Sequence, residues 1–177
     1  MSKNLAVIGV GNMASAIIAG ITSQSNPYRI PMSAIILYDK SPEKTVEYQK
    51  LGARIALSEA QAAEMGDCVF LCVKPQNFPE VLPCFNNISR VDSKLFVTIA
   101  AGISMKTVSD ATHGAAVVRV LPNTPIFVGR GVSAICATQN VSDEDFNFIC
   151  NIFESSGSVL AVDESQMNRI IGVTSSS

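Results

Sequence analysis

Gly9-Val10-Gly11-Asn12-Met13-Ala14 closes the apolar run 5–10 and opens a segment of helical period, and no other feature constrains the chain as much. A GxGxxA turn carries meaning when it follows a buried strand and precedes a helix, as it does here; it then reads as a dinucleotide fingerprint. Gly9 permits the tight turn, Gly11 lets a pyrophosphate approach the backbone, and Ala14 keeps the helix close to the strand. The helix N-terminus offers unpaired N–H groups and a favourable dipole to phosphates. The competing reading is a Gly-rich turn in an α/β domain that binds no nucleotide.

The rest of the chain supplies the context. Apolar runs at 5–10, 34–38, 54–56, 68–73, 95–99, 116–121, 132–137 and 158–162 read as strands. Helical segments are expected at 12–22, 42–51, from Ser58 onward, and at 77–85, 104–112 and 142–155. Ser41, Ser58, Ser104 and Ser142 stand where N-caps belong, Pro42 falls at a first helical position, and Gly52 marks a stop. Alternation of helices with continuous apolar strands predicts a Rossmann-type α/β fold: a doubly wound, mostly parallel sheet with helices on both faces. That domain is expected over 1–163. A helix-like stretch at 164–171 has no visible stop, so 164–177 is expected to be the start of a second, helical domain, cut short.

A net charge of −2, with Lys and Arg scattered singly, gives no electrostatic footprint for nucleic acid. No apolar run approaches the length of a membrane span, and Met1-Ser2-Lys3-Asn4 leads directly into a strand, so a soluble cytoplasmic protein is expected. Five cysteines (Cys68, Cys72, Cys84, Cys136, Cys150) at these spacings argue against a disulfide framework or a metal site and read as buried structural thiols. His113, the one histidine, falls at a helix end with no partner pattern for triad chemistry. Asp39 ends the second strand, where an acid accepts hydrogen bonds from the adenosine ribose and favours NAD. Lys40, Ser41 and Lys44 follow at once and suit a 2′-phosphate, leaving the cofactor choice open. Arg119 reads as a structural ion-pair partner.

Four segments together resemble pyrroline-5-carboxylate reductases: Ile8-Gly9-Val10-Gly11-Asn12-Met13-Ala14, Cys72-Val73-Lys74-Pro75-Gln76, Thr98-Ile99-Ala100-Ala101-Gly102-Ile103-Ser104, and Val118-Arg119-Val120-Leu121-Pro122-Asn123-Thr124-Pro125. The resemblance runs through essentially the whole chain in one order. It implies cofactor contacts at Ile8, Gly9, Val10, Gly11, Asn12 and Met13; at Asp39, Lys40 and Ser41; at Cys72, Val73, Lys74 and Pro75; and at Ile99, Ala100 and Ala101. Ligands in open α/β sheets bind outside the carboxyl ends of the strands, which makes Lys74 and Asn123 the polar candidates to face a substrate. Two departures stand out. The family often has an Asn near position 59 that contacts the adenosine side, where this chain has Ser58-Glu59, and 172–177 lacks the glycines that usually lead into the family's helical domain.

The resemblance implies reduction of 1-pyrroline-5-carboxylate to L-proline with NADPH, or NADH as the alternative. It also implies a homodimer or larger assembly for the full-length protein. This chain supplies the cofactor half, so it is expected to be inactive alone and monomeric or weakly associated. No acid–base pair is visible, and no catalytic residue is assigned, since the hydride comes from the cofactor. The rival readings are another dehydrogenase of the same fold and a non-catalytic NAD(P)-sensing domain.

Overall fold

Burial on both sides explains why the strands read as unbroken apolar runs. In β1 (Leu5–Ile8) every residue is buried, yet Leu5 and Val7 join one core while Ala6 and Ile8 join the other. The computed structural model describes residues 3–24, 26–123, 125, 126, 129–167 and 169. Within them the strands are β1, β2 (Ile35–Tyr38), β3 (Arg54–Ile55), β4 (Cys68–Leu71), β5 (Leu95–Thr98), β6 (Ala116–Pro122), β7 (Gly131–Ala137) and β8 (Gly157–Ala161). The α-helices are α1 (Asn12–Thr22), α2 (Val46–Lys50), α3 (Glu59–Met65), α4 (Phe78–Val81), α5 (Met105–Ala111) and α6 (Asp143–Glu154).

One sheet holds all eight strands in the order β3-β2-β1-β4-β5-β6-β7-β8. β1 to β6 run parallel, β7 is antiparallel to β6, and β8 is parallel to β7. The 3-2-1-4-5-6 core is the doubly wound arrangement whose ligand crevice opens where the order reverses, between β1 and β4. α1 packs Ala14, Ile17, Ile18 and Ile21 on one face, beside Ile149, Ile152 and Phe153 of α6. The other face takes Ala62 and Ala63 of α3, Phe78 and Val81 of α4, and Met105 and Val108 of α5. α1 passes closest to the segment after α6 at Gly20, where a Cβ would fall 2.4 Å from the Ser156 hydroxyl and 2.9 Å from that of Ser155, so a larger residue would require these hydroxyls to turn away.

The element order agrees with the sequence reading, and α1 does so to the residue. Ser58, Ser104 and Ser142 cap as expected, accepting the N–H of Gln61, Thr107 and Asp145. Ser41 does not. Its own N–H goes to Asp39 Oδ1, its side chain makes no cap, and the expected helix 42–51 divides into a 3-10 turn at Pro42–Lys44 and the short α2. The segment 77–85 is likewise a 3-10 turn at Pro75–Asn77, then α4, then a 3-10 turn at Leu82–Phe85. Pro79 and Pro83 each remove a backbone donor, which prevents one continuous helix. His113 has φ +53° at the exit of α5, a helix-end position as expected.

Of the expected second segment, residues 164–167 are helical, and most of 168–177 lies outside the described residues. Glu164 pairs with Arg119 (3.4 Å), whose side chain is 2% exposed, and also accepts the N–H of Met105 at the start of α5 (2.7 Å). Arg119 is thus the structural ion-pair partner it was read to be. Among the described residues no helix is long and apolar enough to cross a membrane.

Candidate functional site

The Gly-rich turn sits at the mouth of the β1/β4 crevice, and its two glycines answer different demands. Gly9 has φ +91°, and a Cβ there would lie 2.9 Å from both Val73 N and Val73 Cγ1. The turn after β1 is therefore pressed against the loop after β4, and only glycine allows that approach. Gly11 has φ −92°, a value open to any residue, and a Cβ there would meet nothing within 4 Å. Neither the backbone conformation nor the space around a Cβ requires a glycine at this point. α1 begins at the next residue with no side-chain cap and no acid in its first turn, so no side chain of its own answers its leading N–H groups or its dipole. A phosphate group suits that environment.

The end of β2 forms the neighbouring wall. Asp39 Oδ2 accepts the N–H of Val10 (2.7 Å) and Oδ1 accepts the N–H of Ser41 (2.9 Å). Lys44 Nζ stands 3.2 Å from Oδ1, and the Asp39 side chain is only 9% exposed. Lys40 reaches away to Glu80 (2.6 Å). That carboxylate, through its hydrogen bond and its charge, holds the Lys40 ammonium above its ordinary pKa, while Glu80 is held below the usual carboxylate range. A cleft of about 380 Å³ opens here. It brings together nine expected positions: Ile8, Gly9, Gly11, Asp39, Lys40, Ser41, Cys72, Val73 and Lys74. Burial pushes the Cys72 thiol up to about 12, so it enters the site as a small neutral group.

The cleft also contains Lys44, which the sequence offers to a 2′-phosphate, Glu59, which stands where the family's adenosine-side Asn is often found, and Tyr38, which is not among the expected contacts. Burial, followed by the Glu59 carboxylate, raises the pKa of the Tyr38 phenol. The Ser58 cap places Glu59 at the start of the helix after β3, and β3 is parallel to β2. Both elements then open on the same rim.

Other expected positions do not line this cleft, though Val10 and Asn12 flank Gly11, which does. Val10 is buried, and Asn12 and Met13 begin α1. Pro75 opens a 3-10 turn. Ile99, Ala100 and Ala101 follow β5 in a turn where buried Thr98 accepts the Ala100 N–H (3.3 Å), while Ala101 is exposed. Asn123 Oδ1 accepts the N–H of Val132 (2.8 Å) and so closes the β6–β7 connection. Among the described residues no group of three or more His, Cys, Asp or Glu side chains is placed to hold a metal ion.

Comparison with known proteins agrees with this arrangement. The family described as NADP oxidoreductase coenzyme F420-dependent matches residues 4–102. Pyrroline-5-carboxylate reductase from Escherichia coli (strain K12) is 31% identical over 179 residues, covering 100% of this chain and 65% of the relative. The enzyme of that name from Corynebacterium melassecola is 34% identical, covering 98% and 64%. Among solved structures, a pyrroline-5-carboxylate reductase from Coxiella burnetii superposes with a TM-score of 0.88 at 26% identity, covering 98% of this chain and 64% of that one. Pyrroline carboxylate reductase from Plasmodium falciparum, solved with NADP bound, gives 0.83 at 24% identity, covering 98% and 63%, a likeness of fold. The chain therefore spans just under two thirds of the length of these relatives.

Proposed function

The chain belongs to the NADP oxidoreductase family described as coenzyme F420-dependent, and on that premise we propose that it is the NAD(P)H-binding part of a pyrroline-5-carboxylate reductase. The observation that carries this is the crevice at the β1/β4 reversal. A helix N-terminus and an unobstructed Gly11 stand there together, in a chain similar to these reductases along its whole length.

A bound nicotinamide dinucleotide supplies the hydride that reduces the ring C=N of 1-pyrroline-5-carboxylate to L-proline. The protein's task is mainly to bind, orient and anchor, because a protonated imine is already electrophilic. The first N–H groups of α1 take the pyrophosphate, and Gly9 keeps the turn against the loop after β4. The small residues Ala100 and Ala101 leave room for a flat ring at the end of β5. Lys74, exposed at the cleft, offers a cation to a carboxylate. Asn123, with its oxygen fixed on Val132, retains its amide N–H groups for a ligand.

The reading includes a domain division at 163/164, a cytoplasmic location, and dimeric or larger assembly of the complete enzyme. Calorimetric titration of the 177-residue chain with NADH and NADPH tests the cofactor half. Proline formation by this chain and by a protein of the relatives' full length tests the rest. Binding by the chain with turnover confined to the longer protein is expected. Absence of binding to either dinucleotide would overturn the reading.

A further inference from the structure

Arg119 and Met105 meet at a single atom. The Arg119 guanidinium lies 3.4 Å from Glu164 Oε1, and the Met105 N–H donates to that same oxygen at 2.7 Å. The three residues come from separate parts of the chain: β6, the first position of α5, and the segment after β8. Strand alternation turns Arg119 to the side of Val117, which shares a core with Met105 and Val108 of α5. A buried cation therefore fixes a carboxylate, and the carboxylate fixes the start of a helix.

Just before that helix stands the turn 99–104. Its hydrogen bonds are long: Ile99 N–H to Leu71 O at 3.4 Å, Ala100 N–H to Thr98 Oγ1 at 3.3 Å, and Ile103 N–H to Ala100 O at 3.5 Å. Ordinary N–H···O bonds span about 2.7–3.2 Å. Ala101 and Gly102 are exposed, and Gly102 has φ +81°. A turn bonded this weakly takes its position from its two ends. Thr98, at one end, stands in register with Arg119. Met105, at the other, is held by Glu164. Both ends lead to the same ion pair.

A carboxylate at a helix start often serves only the dipole and stability of that helix. Here the helix has its own cap, Ser104 Oγ accepting the Thr107 N–H, and the donor left to Glu164 is the residue that ends the turn. The carboxylate is also oriented by a cation buried in the sheet beside the other end of that turn.

We propose that Glu164, held by Arg119, is a positioning residue for the nicotinamide ring: through Met105 it sets where the 99–104 turn stands, and hence how the ring lies at the end of β5. The pyrophosphate and adenosine, which belong to the Gly-rich turn and the end of β2, do not depend on it. The proposal rests on the dinucleotide-binding reading given above.

Calorimetric titration of wild type, Glu164→Ala and Glu164→Gln decides it, with far-UV circular dichroism to check each fold. Each dinucleotide is titrated beside its nicotinamide-free counterpart, NADH with ADP-ribose and NADPH with 2′-phospho-ADP-ribose. Charge is the same within a pair, so the difference reports the ring. In the tighter-binding pair, wild type should bind the dinucleotide above its counterpart. Glu164→Ala should weaken the dinucleotide by about three- to tenfold, the scale of one hydrogen bond, and leave the counterpart unchanged. Glu164→Gln keeps an oxygen for the Met105 N–H and should restore most of the loss. Equal losses for both members of the pair, no loss for either, or a Gln variant no better than Ala would overturn the proposal. So would a wild type that does not distinguish the two. If folded wild type binds no member of either pair, it is the underlying dinucleotide reading that fails.

Discussion

Asp39 and Val10 are joined by a 2.7 Å hydrogen bond from the Val10 N–H to Asp39 Oδ2, which ties the end of β2 to the turn after β1. The donor is a buried residue, so losing the acceptor leaves its N–H without that bond in the protein interior. Asp39→Ala should therefore cost about 1–3 kcal/mol. For a chain of this size that corresponds to a fall in Tm of roughly 2–4 °C per kcal/mol, which differential scanning calorimetry measures.

Gly9 and Gly11 should part company under substitution. Gly9→Ala combines a φ of +91° with contacts of 2.9 Å to Val73, and it should cost about 1–3 kcal/mol. At Gly11 a Cβ meets nothing within 4 Å, and Gly11→Val should melt within a degree or two of wild type, as unconstrained surface changes do, within about 0.5 kcal/mol. Yet it should abolish dinucleotide binding by occupying the space of the pyrophosphate. Melting and titration of the same two proteins give the comparison, and equal binding by wild type and Gly11→Val would remove the turn from the site.

Glu164→Ala removes two contacts at once, the Arg119 guanidinium and the Met105 N–H. Because Glu164 is one-third exposed, solvent moderates the loss, and about 1–3 kcal/mol is expected. The double variant Arg119→Met with Glu164→Ala should recover part of it, since no buried cation then remains. Urea denaturation of wild type, Glu164→Ala, Arg119→Met and the double variant forms the cycle, and a double variant whose loss of stability equals or exceeds the sum of the two single losses would refute the pairing.

Alkaline conditions should weaken the fold through its enclosed thiols. Burial raises Cys72 from 9.0 to about 12, and burial followed by the Glu164 charge raises Cys136 to about 11. Below pH 9 both folded and unfolded chains keep these protons. Above it the unfolded chain releases protons that the folded chain retains, so stability falls as pH rises, up to about pH 12 for Cys72. Each thiol contributes a slope of up to about 1.4 kcal/mol per pH unit. Urea midpoints at pH 8, 9 and 10 should drop, and should drop less in Cys72→Ala.

Much of the fold was legible in the sequence because local rules and burial agreed. The 12–22 helix follows its glycine turn, three of four serine caps form, and strands covered on both faces show themselves as continuous apolar runs. What stayed hidden depended on partners distant in sequence. Ser41 looks like a cap until Asp39 takes its N–H, and Asp39 looks like a ribose acceptor until Val10 and Ser41 donate to it. The reversed direction of β7 left a sign that was not read. The connection 123–130 is shorter than the dozen or so residues a parallel crossover needs. The site was legible as a set of loops on one rim, but not as a partition between them. No spacing shows that Ala100 and Ala101 stand outside the cleft that holds Lys74.

The contrast between Gly9 and Gly11 also bears on what this sequence would retain under neutral drift. Selection for a folded, undegraded chain acts at Gly9, where any side chain collides with Val73, but has nothing to act on at Gly11. On the function proposed above, it is the dinucleotide in the crevice that enforces the second glycine. A descendant released from its cofactor would keep the first glycine and lose the second, so position 11 records whether a lineage still uses the ligand, independently of whether its protein still folds.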